Sequence, residues 1–395
     1  MSASLDVIVP AYRGLDETRT CLESVLAATP RQRFHLVVID DAGPDPALRA
    51  WLREQAAAGR FELLANAVNL GFVATVNRGM ALHPDRDVLL LNSDTEVAGD
   101  WPDRIVAHAR DDDSVGTITP LSTNATICSY PRTLQSNPLP PGETTASLDA
   151  ACARANGGRA IEVPTAVGFC MFIRRRCLEA IGAFDVERYG AGYGEEVDFC
   201  MRATRAGFRH LLAADAFVRH VGEVSFGGTG SERRAQAQRT VDALYPEFQQ
   251  QLATYIPADP SREARRRLDL DRLQRIRPPL RTQAGPAGNG TTGVLRLSPW
   301  SPTHAHLRWD REGEEFALWL PLDPGVLAPI ARRLANGEPW GRFEGGWMWP
   351  AQPEGFATPA EQQVATVRLA ACLDGRFAHR GLLGRLMGFF GPPSP

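Results

Sequence analysis

The chain has 395 residues, 44% of them hydrophobic and 23% charged, with a formal net charge of −3. That length predicts two domains, or one large domain with an appendage, and so small a charge exerts no general pull on nucleic acid. All 43 basic residues are Arg, which excludes a Schiff-base lysine, a pyridoxal-phosphate anchor and a P-loop or kinase-type lysine from this chain.

Residues 5–10 (LDVIVP) are a short β-rich apolar run, and Leu15, Cys21, Leu22, Val25 and Leu26 carry helical spacing over 15–29. A second strand is predicted at 34–39, ending on Asp40 and Asp41. A helix over 46–58, a strand over 61–64, a helix over 72–82 and a strand over 88–91 follow, the last running into Asn92, Ser93 and Asp94. Strands alternating with helices imply an α/β fold, a mainly parallel sheet with helices on both faces. Continuous apolar strands fit a sheet buried on both sides. In such sheets the ligand sits beyond the carboxyl ends of the strands, where Tyr12, Arg13, Asp40, Asp41, Asn69 and Asp94 stand.

Residues 120–160, rich in Pro, Thr, Ser and Asn, read as loop. A strand is expected at 164–174, a helix at 195–207, a short strand at 217–220 and a helix over 232–253. The catalytic domain is expected to end near residue 255. Residues 261–282 hold eight Arg against three acids, and 283–293 read as a Gly/Ala/Thr linker. Residues 294–395 carry short strands (294–297, 305–309, 316–320), a helix (327–335) and many Trp, Gly and Pro, which predicts a small α+β accessory region. Seven cysteines, an odd number without a CxxC pair, fit a reducing compartment. No apolar run approaches ~20 residues. The expectation is a cytoplasmic protein, at most peripheral at the inner membrane face. The Arg-rich stretch could meet anionic lipid, or it could be an ordinary solvated helix.

Four segments, in this order, carry a resemblance: VIVPAYRG (7–14), VVIDDAGPD (37–45), NLGFVATVNRGM (69–80) with VLLLNSDTEV (88–97), and GYGEEVDFCMRATRAGF (192–208) with HVGEVSFGG (220–228). Together they resemble the inverting transferases of glycosyltransferase family 2, in particular the rhamnosyltransferase-like branch. The resemblance implies a GT-A, Rossmann-like fold over residues 1–255. It also implies a UDP-, dTDP- or GDP-linked sugar donor, a glycan or lipid-linked glycan acceptor and a place in bacterial surface polysaccharide synthesis.

By the same resemblance, Pro10, Ala11, Tyr12, Asp40 and Asp41 hold the nucleoside, and Arg13 could reach a phosphate. Asn69, Gly71 and Asn77 form the next part of the donor site. Asp40 and Asp41 also read as a helix N-cap pair, and Asn69 as the cap of the helix beginning near Phe72. A departing diphosphate needs its charge neutralised, which suits Mn²⁺ or Mg²⁺. Asp94 is the expected carboxylate ligand and His220 the second ligand. Asn92 and Ser93 stand where the family has its first acid, so a ribose contact there is weakened. The base is expected at Glu196, where the family commonly has Asp, with Glu195 beside it; Gly168 belongs to the strand under the donor sugar. An acidic helix N-terminus is the plain reading of that pair. Asp198, two residues on, is expected to pair with Arg202 across one helical turn. Trp101 is expected in packing. Ser225 with Gly227, Gly228 and Gly230 suits a loop over the diphosphate. The alternatives are a sugar nucleotidyltransferase, which wants a basic Gly-rich first loop and a lysine, and a non-catalytic glycan-binding or assembly subunit.

Overall fold

A computed structural model describes residues 4–140, 142–190, 192–222, 230–276, 280–282, 294–301, 303–311, 314–322, 327 and 358–372. It divides into two compact units, Met1–Arg265 and Arg266–Pro395. The expected linker at 283–293, most of the 327–335 helix, the Trp-rich segment 340–349 and Ser225, Gly227 and Gly228 lie outside the described residues.

The first unit begins with the predicted alternation: β1 (Leu5–Ala11), α1 (Leu15–Ala27), β2 (His35–Asp40), α2 (Pro46–Ala57), β3 (Glu62–Ala65), α3 (Phe72–Met80) and β4 (Asp87–Leu91). Then come β5 (Thr95–Glu96), α4 (Trp101–Ala107), β6 (Val115–Leu121), α5 (Thr145–Asn156), β7 (Ala160–Val163) and β8 (Cys170–Ile173). The unit continues with α6 (Arg175–Ile181), α7 (Val186–Tyr189), α8 (Glu195–Arg205), β9 (Arg209–Phe217) and β10 (Arg219–His220). Helices α9 (Gly230–Leu244), α10 (Pro246–Ala258) and α11 (Arg262–Ile276) follow.

Eight strands form one sheet in the order β3-β2-β1-β4-β8-β6-β9-β7. β1, β2, β3 and β4 are mutually parallel, β8 runs antiparallel to both β4 and β6, and β6 pairs parallel with β9. The chain leaves β1 toward β3 on one side and returns to β4 on the other. That reversal opens a crevice at the carboxyl ends of β1 and β4. Ile8, Val37, Ile39, Val88, Leu90, Met171 and Ile173 belong to one buried cluster with Val73, Val76 and Met80 of α3 and Phe199 of α8. Their strand neighbours Val7, Val9, Val38, Leu89, Leu91 and Phe172 are equally buried. Because side chains alternate along a strand, both faces of the sheet are covered. Each such side chain contributes about 1.5–3 kcal/mol on leaving water.

Local chemistry sets the ends. Asp45 caps α2, accepting from Ala47 and Leu48 N–H, with Pro46 at the first helical position. The cap is therefore Asp45, and Asp40 and Asp41 are free for other work. Pro246 starts α10, so the helix expected over 232–253 is two. Residues 120–160 are not all loop: α5 is set by Thr144 and Ser147, which bond each other's backbone N–H. The first unit also runs ten residues past the expected boundary. Arg265 bonds Asp259 and Ser261, and Asn156 Nδ2 donates to the Ala264 carbonyl. Two of the Arg in the basic stretch, Arg265 and Arg272, are buried and do not face solvent.

The second unit holds a four-stranded sheet, β11 (Leu280–Thr282), β12 (Val294–Pro299), β13 (His304–Arg311) and β14 (Glu314–Pro321), and a helix, Pro359–Cys372. It is the α+β appendage that the sequence predicts. No described helix is long and apolar enough to cross a membrane.

Candidate active site

A cavity of about 960 Å³ opens at the crevice, the size of a site for a nucleotide-sized ligand. Its walls bring together Pro10, Ala11 and Tyr12 after β1, Asp41 after β2, Asn69 and Gly71 before α3, and Asn92, Ser93 and Asp94 after β4. Gly168, Glu195, Glu196 and His220 line it too, whereas Arg13, Asp40 and Asn77 of the expected set do not.

Asp94 and His220 face each other, Oδ1 to Nε2 at 3.5 Å. They meet because β10 pairs antiparallel with β5, His220 opposite Thr95. His220 Nδ1 lies 2.7 Å from the Asn124 carbonyl. A carbonyl only accepts, so Nδ1 carries the proton and Nε2 turns its lone pair toward Asp94. The ring stacks on Phe169 at 5.1 Å. Asp94 Oδ2 accepts from Gly222 N–H at 3.0 Å, leaving Oδ1 on the His220 side. One carboxylate oxygen and one imidazole nitrogen, both oriented by outer hydrogen bonds, are a fitting ligand pair for Mn²⁺, whereas Mg²⁺, which prefers oxygen, would rest on Asp94.

Glu195 and Glu196 open α8. Gly194 precedes them at φ 88°, and a Cβ there would lie 3.0 Å from the Tyr189 ring, so this turn requires glycine. One oxygen of each glutamate is buried without a hydrogen-bond partner. Burial pushes the Glu195 carboxyl well above its usual range, and the Glu196 charge adds to this. Burial also raises Glu196. The helix N-terminus favours both anions, but here desolvation wins. A Cβ on Gly168 would touch Glu196 Cβ at 4.0 Å, which places these two opposite each other. Asp198 turns away from the cleft. It bonds Arg202 Nε at 2.8 Å, as the spacing predicts, and accepts from Tyr245 Oη at 2.6 Å.

Other expected donor-site residues serve the scaffold. Asp41 lines the cleft, yet its oxygens accept from Asn66 Nδ2, Leu70 N–H and Gly71 N–H at 2.8–3.0 Å. It shapes the β3–α3 loop. Asp40 accepts from Gly43 N–H and Arg49 Nε and does not line the cleft. Asn77 clamps the Phe184 backbone through both its amide atoms. Arg13 lies over the Tyr12 ring, 5.2 Å from its centre. Asn69 Oδ1 accepts from Gly71 N–H at 2.8 Å, a turn rather than a cap of α3. Trp101 is wholly buried.

Two parts of the site escape the sequence reading. Asn124, Ala125, Thr126 and Ser136 line it from the stretch read as loop, and Arg234, Gln238 and Val241 line it from α9. Asn124 acts through its main chain, which no side-chain motif reveals.

Residues 6–182 match the family model described as Glycosyl transferase family 2. The match includes the cleft residues from Pro10 to Asp94 and ends before Glu195, Glu196 and His220. An uncharacterized protein of Sinorhizobium fredii, y4gI, is 23% identical over 252 residues, 61% of this chain and 27% of that protein. The chain thus spans about a quarter of that curated relative's length. Among solved structures, GalNAc-T7 with UDP, GalNAc and Mn²⁺ aligns with TM-score 0.47 and 18% identity, over 62% of this chain and 50% of that one. The mannosyltransferase PcManGT of Pyrobaculum calidifontis with GDP-Man and Mn²⁺ aligns with TM-score 0.42 and 18% identity, over 62% and 64%. S. aureus TarS 1–349 with UDP-GlcNAc aligns with TM-score 0.43 and 17% identity, over 61% and 66%.

Proposed function

We propose that this chain is an inverting, metal-dependent glycosyltransferase that moves a sugar from a nucleotide-diphosphate donor to a hydroxyl of a glycan or lipid-linked glycan. The observation that carries the reading is one cleft holding Asp94, His220 and Glu196 together at the carboxyl ends of the sheet. Carboxyl groups outnumber arginine in its wall: Asp41, Asp94, Glu195 and Glu196 line it against Arg234. Such a wall repels a diphosphate unless a cation intervenes. Asp94 Oδ1 and His220 Nε2 would hold Mn²⁺, or Asp94 would hold Mg²⁺, either of which when bound offsets the charge on the leaving diphosphate.

Glu196 takes the proton of the acceptor hydroxyl. The acceptor oxygen bonds to the anomeric carbon as the bond from that carbon to the diphosphate breaks, with inversion. The buried glutamate oxygen, without a hydrogen-bond partner among the described residues, is a strong proton acceptor. Burial raises Glu196 itself, and burial together with the Glu196 charge holds the neighbouring Glu195 carboxyl well above its usual range. UDP-, dTDP- and GDP-sugars are all candidate donors. The place in bacterial surface polysaccharide synthesis rests on the motif resemblance alone.

The test is Glu196→Gln assayed against a panel of UDP-, dTDP- and GDP-sugars with Mn²⁺. Turnover should fall about 10²–10⁴-fold, while calorimetric donor affinity stays near that of the parent. Near-normal turnover removes Glu196 from the role. A parent chain that binds donor but turns over none of the panel would instead be a binding subunit.

A further inference from the structure

At the end of the sheet opposite the cleft, Asp6, His35 and His83 converge. Asp6 is wholly buried near the start of β1, and His35 of β2 is its register partner. His83 lies in the turn between α3 and β4. His83 Nδ1 is 2.7 Å from Asp6 Oδ2, and His35 Nδ1 is 3.5 Å from Asp6 Oδ1. One nitrogen or oxygen from each of the three residues lies within 4.8 Å of the others. The space between them already attracts a cation: Arg86 Nη1 is 3.0 Å from Asp6 Oδ1, 3.3 Å from His83 Nδ1 and 3.4 Å from His35 Nδ1. The far nitrogen of His35, Nε2, lies 3.1 Å from Glu62 Oε2. A carboxylate behind an imidazole fixes the ring and strengthens it as a ligand.

We infer that Asp6, His35 and His83 form a second cation site, suited to Zn²⁺ or a similar transition metal, for which Arg86 is the competing resident charge. Two imidazoles and one carboxylate match Zn²⁺, whereas Mg²⁺ and Ca²⁺ prefer oxygen ligands throughout. The site is separate from the donor end: Ala11 is five residue steps along β1 from Asp6, about 17 Å of strand. Arg86 keeps 19% of its side-chain surface exposed and sits in a turn, so its head can move to water when a metal arrives. The bound ion would tie β1, β2 and the α3–β4 turn together and stabilise the fold by mass action. None of this depends on the reading of the cleft.

The experiment uses the full chain carrying Asp94→Ala and His220→Ala, which removes the donor-end ligands. Co²⁺ is titrated and followed by its visible absorption, and Zn²⁺ by calorimetry. One equivalent of each should bind, with Co²⁺ bands of a nitrogen- and oxygen-ligated ion. Adding His35→Ala or His83→Ala should weaken binding at least tenfold, and Arg86→Gln should strengthen it. Should a histidine variant fail to fold, Glu62→Gln, at a partly exposed position, should still weaken binding by about tenfold. The proposal is overturned by absence of stoichiometric binding, by affinity unchanged in the histidine or Glu62 variants, or by weaker or unchanged binding in Arg86→Gln.

Discussion

At the scale of single residues, the site depends on which atoms are left free. Asp94 keeps Oδ1 for His220 because Gly222 N–H occupies Oδ2, and His220 keeps Nε2 because the Asn124 carbonyl holds Nδ1. Asp94→Ala should therefore abolish Mn²⁺-dependent donor binding; titration calorimetry with an unchanged affinity in the presence of Mn²⁺ would contradict this. The glutamates give a pH signature. Glu196 must be ionised to accept a proton, and its carboxyl is raised above the ordinary 4.5 by burial. The acidic limb of kcat/KM should lie above that value, the rate rising as pH rises through it. A limb at or below 4.5 would mean that another group is the base. Stability runs the other way. Glu195 is raised in the folded chain, so folding is favoured at low pH and loses ground as pH climbs from the unfolded value through the folded one. Glu195→Gln should thus shift the urea midpoint upward at about pH 8, with the gain fading near pH 4. The sequence shows Asp94, Glu196 and His220 because each is a side chain in a spaced motif. It hides Asn124, whose carbonyl any residue could supply. It also misleads on Asn77, whose amide serves the Phe184 backbone.

At the scale of elements, the proposed chemistry rests on helices, and their anchors fix its aim. α8 presents Glu195 and Glu196, and its far side is held by Tyr245 Oη on Asp198. Tyr245 closes α9, which itself lines the cleft. Tyr245→Phe leaves a buried carboxylate oxygen one donor short, at a cost of about 1–3 kcal/mol. Urea unfolding should show that loss; an unchanged midpoint would mean that the bond is idle. α3 shows the opposite constraint. A Cβ on Gly79 would fall 2.7 Å from Ile8 Cγ2 and 3.0 Å from Ile39 Cδ1, so α3 sits on β1 and β2 only because this position is bare. Gly79→Ala should destabilise by about 1–3 kcal/mol through overpacking, and a variant as stable as the parent would show that the helix can retreat. The strands of the first half were legible because their apolar runs are continuous and end in polar residues. α5 was not, since its sequence TASLDAACARAN is short of large apolar residues and its capping pair uses Ser147 instead of an acid or amide.

At the scale of the whole molecule, every described residue that lines the cleft lies between Pro10 and Phe248, inside the unit Met1–Arg265. The sequence places the end of that unit near 255 because the motifs stop and Arg accumulates. Charge composition is a poor guide here. Arg265 is buried against Asp259 and Ser261, and the Ala264 carbonyl is taken by Asn156. The start of α11 is thus part of the first unit's hydrogen bonding, and a cut before it removes one of the two carbonyls that Asn156 Nδ2 donates to, leaving that of Ala214. Two truncations separate the possibilities. A chain ending at Ile276 keeps α11 and should bind donor and Mn²⁺ within about threefold of the full chain, under 1 kcal/mol. A chain ending at Ala258 loses Arg265 together with its partners Asp259 and Ser261, and Asn156 Nδ2 loses one of its two acceptors. It should unfold at lower urea, by roughly 0.5–1.5 kcal/mol for the one hydrogen bond taken from the part that remains. If the 276 chain fails to bind while remaining folded, residues beyond it take part in the site. If the 258 chain matches the 276 chain in stability, the boundary near 255 is restored and the buried Arg265 contributes nothing to the first unit.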